Sequence, residues 1–240
     1  MGVAKFRWFK PTLGHVWRVY AGGTRRLAPK SGGSRFFDHK APEGVKLHTP
    51  PLGLFREFAR LPWSAKGESR QKALKEFGDN HGDILAAPWE GRVTDAREKW
   101  FKHATMDTWC LQIQRMRRAV EMWDQVKNNP EWYKTAANRM ILSEELIDSA
   151  LRDTETPSCA TPVLVLKENR IVLCPANLLA FMWLTFARVV AGEIREQPCT
   201  AKDLDGNPCP NFVYFEPGVR RYDERATCGD TCRKRKQRPK

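Results

Sequence analysis

Four cysteines near the C-terminus constrain the fold of this 240-residue chain more than any other feature. Cys228 and Cys232 lie four residues apart, about one helical turn, so both thiolates can face one ion at the start of a helix. Four thiolates complete a tetrahedral zinc site without a water molecule, as in structural zinc centres. The predicted zinc ligands, separated by nine, eighteen and three residues, are Cys199, Cys209, Cys228 and Cys232.

The residues between these cysteines favour the same interpretation. Asp205, Gly206 and Pro208 are turn formers, so the nine residues after Cys199 can loop out and return. The stretch "NFVYFEPG" then supplies strand-forming residues and a turn. A segment as short as 198–240 has too small a core to fold without such a cross-link. The alternative is that the four cysteines are unrelated reduced thiols.

The cysteine count and the N-terminus predict a cytoplasmic protein with no membrane partner. Seven cysteines, an odd number, argue against a disulfide framework. The opening "MGVAKFRWFK" leads into no apolar stretch of signal-peptide length. The most apolar run, Leu178–Val190, is interrupted by Arg188 and is too short to cross a bilayer.

The net charge of +13 is concentrated at the two ends of the chain. Residues 1–40 contain nine Lys and Arg against one acidic residue, and residues 217–240 contain nine against three. Basic ends around a nearly neutral body predict a polyanionic partner. The alternative is that the charge only keeps the protein soluble.

The predicted fold class is α+β, mainly α with a small β hairpin. A basic, irregular segment at 1–48 precedes a helical body at 49–197. Within the first segment, "HVWRVYAGGTRRLAP" can form a short hairpin. In the helical body, helices are expected over "LGLFREFARL" and over "ESRQKALKEFGDNH", and the second of these should end at Gly82. A second hairpin is predicted near 162–174, followed by an apolar helix that starts at Pro175, contains a buried Trp183 and extends to Gln197.

The strongest helical pattern has apolar residues spaced four, three, four and three apart, and the helix should end near Asn128. A stripe of this kind is usually core, although it could line a ligand pocket. The residues predicted to be buried on this face are Trp109, Ile113, Met116, Val120 and Trp123.

The sequence "CPNFVYFEPG…RYDERATCGDTCRKRKQ" resembles the C-terminal treble-clef zinc finger of bacterial proteins related to the CGNR-finger family. In these proteins a helical ABATE-type domain precedes a hairpin with two cysteines and a helix with two more. This chain departs from the pattern by the insertion after Cys199, by the absence of Gly-Asn-Arg after Cys232, and by Gly229 at the helix start. The resemblance implies a DNA-binding transcriptional regulator, and therefore DNA in preference to RNA as the partner.

The basic tail would then carry positive charge to the nucleic acid on a metal-organised helix that stops near Pro239. A homodimer is a further expected assembly. The predicted nucleic-acid-binding residues are Arg220, Arg221, Arg225, Arg233, Lys234, Arg235, Lys236 and Arg238.

Two other classes of function compete with this one. The finger or the body could be a protein–protein interaction module, which would need exposed apolar surface rather than arginine. An enzyme would use His81, Asp83, Glu90, His103 or the cysteines of the body, but no pair of these has the spacing of a triad or a metal site. A four-thiolate zinc also has no open coordination position, so no catalytic residue is assigned.

Overall fold

The computed structural model divides the chain into two compact units, Met1–Leu184 and Thr185–Lys240. The protein is mostly helical and contains antiparallel hairpins, which confirms an α+β fold. None of the helices in the described parts of the chain has the length and apolar character needed to cross a membrane. The structure describes residues 2–3, 8–11, 15–19, 25–29, 45–48, 50–65, 67–85, 104–129, 131, 134–135, 138, 140–148, 160–165, 170–202, 206–216 and 227–237.

The helices of the first unit begin and end largely where the sequence pattern predicts. Gly82, with a φ of 100°, follows the second helix and ends it. The Thr105 side chain caps the third helix by accepting a hydrogen bond from the Thr108 N–H at 3.0 Å. The helical elements are α1 (Leu54–Ala59), α2 (Glu68–His81), α3 (Met106–Asn128), a π-helix (Ile141–Asp148) and α4 (Leu178–Val190), which crosses into the second unit.

The apolar face of α3 forms the centre of the first unit's core. Trp109, Ile113 and Met116 are fully buried, and Val120 is 8 % exposed. The Trp109 ring lies 6.0 Å from the ring of Phe58 on α1, and it also contacts α2 through an edge-on aromatic pair. The stripe is therefore core, as predicted.

Trp123, also predicted to be buried on this face, is only partly buried, so the prediction is wrong at this position. A seven-residue repeat drifts by about 20° per heptad against the 3.6-residue period, and Trp123 lies two heptads after Trp109. Val126, 8 % exposed, is buried instead at this end of α3.

Strands of the first unit pair in three sheets within the described residues. The two predicted hairpins are confirmed, since β3 pairs antiparallel with β4 and β6 with β7, while β1 runs parallel to β7. Strand β2 pairs with β5, so segment 1–48 has more regular structure than the single hairpin expected there. The strands are β1 (Gly2–Val3), β2 (Trp8–Pro11), β3 (His15–Val19), β4 (Arg25–Pro29), β5 (Val45–His48), β6 (Ala160–Val165) and β7 (Arg170–Pro175).

Both predicted ends of the long apolar helix are wrong, although Trp183 is fully buried as predicted. Pro175 is the last residue of β7, and α4 begins at Leu178, where Asn177 Oδ1 accepts the Ala180 N–H at 2.8 Å. At the other end, Gly192 has a φ of 76°, so the helix stops at Val190 instead of reaching Gln197. Residues 195–198 consequently form a strand.

A bidentate ion pair connects α1 with the end of α3. The Arg56 guanidinium donates to both oxygens of Asp124 at 2.7 and 2.9 Å, and the Arg56 side chain is only 6 % exposed. Burial opposes ionisation of Asp124, but hydrogen bonds from Arg56 and Lys127 prevail and lower the pKa of this carboxyl.

We expect Asp124→Asn to lower the free energy of unfolding at neutral pH by about 1–3 kcal/mol, because it leaves the Arg56 charge without this partner. Because the pKa of Asp124 is lower in the folded state, this carboxylate stabilises the fold at pH values above its unfolded-state pKa of about 3.9. The difference between parent and variant should therefore shrink as the pH falls through the folded-state pKa in urea titrations followed by tryptophan fluorescence. The matched control is Asp79→Asn, which removes a pair on α2 whose cation, Lys75, is 33 % exposed against 6 % for Arg56, and should cost at most about 1 kcal/mol. Equal effects of the two substitutions would contradict the argument.

Candidate metal centre

The second unit contains an antiparallel hairpin followed by a short helix. Arg195 lies opposite Phe215 and Pro198 opposite Phe212, and the Tyr214 hydroxyl donates across the hairpin to Glu196 Oε1 at 2.9 Å. The stretch "NFVYF" therefore supplies a strand, as predicted. The elements are β8 (Arg195–Pro198), β9 (Phe212–Phe215) and α5 (Asp230–Gln237).

Cys199 and Cys209 lie at the end of this hairpin, where β8 and β9 are joined. The Cys199 N–H donates to the Asn211 carbonyl at 2.8 Å, and the Cys209 N–H donates to the Ala201 carbonyl at 2.9 Å. Gly206 has a φ of 85°, a value that favours glycine in a turn. These contacts hold together the two ends of the nine-residue loop between the cysteines, so that Cys209 lies beside Cys199.

Cys228 and Cys232 lie at the start of α5. Cys228 precedes the helix by two residues, and Cys232 is in its first turn. The Arg233 N–H donates to the Gly229 carbonyl at 3.0 Å, so helical hydrogen bonding begins between the two cysteines. The predicted position of this pair at a helix start is confirmed.

The four sulfurs converge, with all Sγ atoms within 4.8 Å of one another. The separation is 3.4 Å between Cys228 and Cys232, 3.7 Å between Cys209 and Cys232, and 3.8 Å between Cys209 and Cys228. A tetrahedral zinc with Zn–S bonds of about 2.3 Å would place its sulfurs about 3.8 Å apart. The cluster thus has the number, type and spacing of ligands needed to hold a metal ion, and it includes Cys199.

Burial differs sharply among the four thiols. Cys199 is 4 % exposed and Cys232 is 7 % exposed, and with Ala201 they form a small core against which Cys209 packs. Cys228 is exposed. The cluster therefore has a closed side and a solvent-facing side.

The electrostatics of the metal-free thiols follow from this burial. Burial, together with hydrogen bonds that the Cys232 thiol makes to the neighbouring sulfurs, raises the pKa of Cys232 to about 12, and burial also raises the pKa of Cys228. For Cys199, burial is outweighed by the N–H groups of Ala201 and Cys228, which lower its pKa. Metal binding must displace the thiol protons, so affinity for a metal should fall as the pH falls.

Asn211 is a residue of the site that the sequence analysis missed. Its Nδ2 donates to Cys228 Sγ at 3.7 Å, while its carbonyl accepts the Cys199 N–H. One residue thus contacts a cysteine from each half of the cluster and orients both. Nothing in "CPNF" distinguishes this asparagine from an ordinary turn residue, because its role depends on a contact 17 residues away.

Part of the predicted nucleic-acid surface lies on α5. Arg233 and Lys234 are exposed there. Arg235 and Lys236 also belong to this helix. The remaining predicted contacts lie outside the described residues: Arg220, Arg221, Arg225 and Arg238.

Two of the residues considered for catalysis have structural contacts in the first unit. His81 Nε2 lies 3.0 Å from Glu57 Oε1. The Asp83 carboxylate accepts backbone N–H groups of Leu85 and Ala104, at 2.9 and 3.3 Å. Glu90 and His103 lie outside the described residues.

Comparison with known proteins assigns the chain to no family. No family model, curated protein or solved structure matches it. The resemblance to CGNR-type fingers therefore stays a prediction. The function has to be argued from the four-cysteine cluster and from the charges around it.

Proposed function

We propose that the second unit is a zinc finger that holds one zinc ion through Cys199, Cys209, Cys228 and Cys232. The observation that carries this proposal is the convergence of the four Sγ atoms from a hairpin and a helix. Thiolates are soft ligands, and a tetrahedral set of four suits zinc or iron. Four protein ligands leave zinc no open position, so its role would be structural.

The ion would hold α5 against the end of the β8–β9 hairpin. The buried apolar cluster described around the site contains only Cys199, Ala201 and Cys232, with Cys209 packed against it. So small a core needs a cross-link to be stable. The order of hairpin and helix, with two cysteines on each, supports assignment to the treble-clef type of the CGNR-like proteins.

We further propose that the finger binds DNA, as a transcriptional regulator would. Support comes from Arg233 and Lys234, which are exposed on the helix that carries Cys232. Zinc would fix the position of these cations relative to the hairpin, and cations held in this way contact phosphates with a defined orientation. The surrounding segment, 217–240, carries nine Lys and Arg against three acidic residues.

We expect the double substitution Arg233→Ala and Lys234→Ala to weaken DNA binding and to reduce the slope of log Kd against log salt by about two, since each lost phosphate contact removes about 0.9. The measurement is fluorescence anisotropy with a labelled duplex at several salt concentrations. The matched control replaces Lys72 and Arg118, two exposed cations of the first unit, with Ala, and should leave the slope unchanged.

Cys232→Ser separates a folded finger from a charged tail. It retains every basic residue and removes only a metal ligand, so we expect it to weaken DNA binding as well. Binding equal to that of the parent at the same salt would mean that the tail acts as an unstructured tether. If neither Cys232→Ser nor the loss of Arg233 and Lys234 changes binding, the partner is not nucleic acid, and the protein-interaction alternative takes precedence.

A further inference from the structure

We propose that Cys228 is a modification site at which a peroxide oxidises the cluster, and that the oxidised Cys228 forms a disulfide with Cys232 that releases the metal. This inference rests on the proposed zinc site and adds its regulation. It follows from the unequal exposure of the four cysteine residues and from the distances between their sulfurs.

Cys228 is the most exposed residue of the four cysteines. Cys199 and Cys232 are buried, and Cys209 is only partly exposed, whereas Cys228 is exposed. Next to it in the chain, the position that a Cβ on Gly229 would occupy has no heavy atom of the described residues within 4 Å, apart from Gly229, its two chain neighbours and the adjoining helix backbone. Oxidation of cysteine follows access and thiolate character, and a metal-bound cysteine is a thiolate.

The hydrogen bonds to sulfur do not protect Cys228 as they protect Cys199. Cys199 Sγ accepts backbone N–H groups of Ala201 and Cys228, the latter at 3.4 Å. Cys228 Sγ accepts the side-chain amide of Asn211 at the longer distance of 3.7 Å. Donors to a thiolate reduce the charge available for nucleophilic attack. The exposed sulfur is thus also held by a weaker donor than the buried one.

Cys232 is the partner placed to complete the reaction. Its Sγ lies 3.4 Å from that of Cys228, nearer than the 3.8 Å that separates Cys228 from Cys209. Cys232 itself is buried, so it is reached by a neighbouring sulfur and not by a solute. The exposed thiolate would react first and the buried one second.

The reaction balances with one hydrogen peroxide per disulfide. The Cys228 thiolate attacks a peroxide oxygen, the O–O bond breaks, hydroxide leaves, and Cys228 becomes a sulfenic acid. The Cys232 thiolate then attacks the Cys228 sulfur, the S–O bond breaks, and a second hydroxide leaves. Two electrons pass from the two thiolates to the peroxide. Cys199 and Cys209 remain as the only two cysteine ligands, too few for a closed zinc site.

Oxidation would therefore release the start of α5 from the hairpin. Arg233 and Lys234 would lose their fixed position, and DNA binding should weaken without any loss of positive charge. Reduction with added zinc should restore both the site and the binding.

The test treats the zinc-loaded full chain with hydrogen peroxide and follows zinc release with a metal-sensitive dye. The parent should release one zinc per chain while the tryptic peptide "ATCGDTCR", residues 226–233, loses two hydrogens and resists alkylation. Cys228→His retains a zinc ligand but removes the exposed thiolate, and we expect it to slow release at least about tenfold. Cys209→His is the matched control, since it is also a three-cysteine, one-histidine site, and should release zinc at about the parental rate.

The outcomes separate this inference from the function on which it rests. A purified chain without zinc would refute the zinc finger itself. A chain that holds zinc but keeps it in peroxide, or that links Cys209 to Cys228 across two peptides, would overturn the inference and leave the finger standing. If Cys228→His fails to bind zinc, the disulfide in the oxidised parent becomes the deciding measurement. A link between Cys228 and Cys232 supports the inference, and a link between any other pair overturns it.

Discussion

Cys232→Ser is expected to reduce the zinc content of the purified chain from about one ion per molecule to nearly none, because a buried thiolate ligand of a four-cysteine site has no substitute. Cys228→Ser and Cys209→Ser should do the same. Elemental analysis by mass spectrometry measures the loss, and it also distinguishes zinc from iron. Structural zinc contributes about 10–16 kcal/mol in isolated zinc-finger peptides, so the second unit should lose its fold together with the ion.

Cys199→Ser is expected to have an equally large effect on the zinc content. Its Sγ lies within the cluster, and its side chain is 4 % exposed. Cys110→Ser is the control, since Cys110 is a partly exposed thiol on α3, outside the cluster, and should leave the zinc content unchanged. A C-terminal unit that is well folded yet free of metal in the parent protein would refute the site.

Val120→Asp is expected to lower the free energy of unfolding of the first unit by about 3 kcal/mol or more, because it places a carboxylate in an apolar core without a partner. Val120 is 8 % exposed on α3, on the same face as Ile113 and Met116. Thermal unfolding followed by circular dichroism measures the loss.

Gln114→Asp is the matched control for this substitution. It places the same residue in the interior of the same helix, but at an exposed position. It should therefore cost only the difference in helix propensity, below about 1 kcal/mol. Similar losses for the two variants would mean that the α3 stripe does not face the core.

The elements that could be predicted from the sequence depend on contacts between residues close together in the chain. The α3 face follows from a repeat of three and four residues, and Gly82 ends α2 because few other residues adopt a positive φ there. The hairpins β3–β4 and β6–β7 join neighbouring strands through short connections. The position of Cys228 and Cys232 at a helix start likewise follows from their spacing.

The prediction for the end of α4 was wrong because pairing with a more distant strand overrode the local helical signal. The apolar run of α4 suggested a helix continuing to Gln197, but the polar residues after Gly192 pair with β9 as strand β8. Strand pairing satisfies the backbone groups of 195–198 with a partner about 17 residues away in the chain. Periodicity within the segment carries no information about such a partner.

The sequence by itself determined which residues make up the candidate metal site, its four cysteines, and the charge of the helix beside it. Only the tertiary structure decided that Cys199 joins the cluster, that Asn211 contacts both halves, and that Cys228 alone of the four is exposed. The same holds for Arg56 and Asp124, which are 68 residues apart and meet between α1 and α3. Exposure and long-range contact are properties of packing, and packing depends on the whole chain because each buried side chain touches residues from several elements.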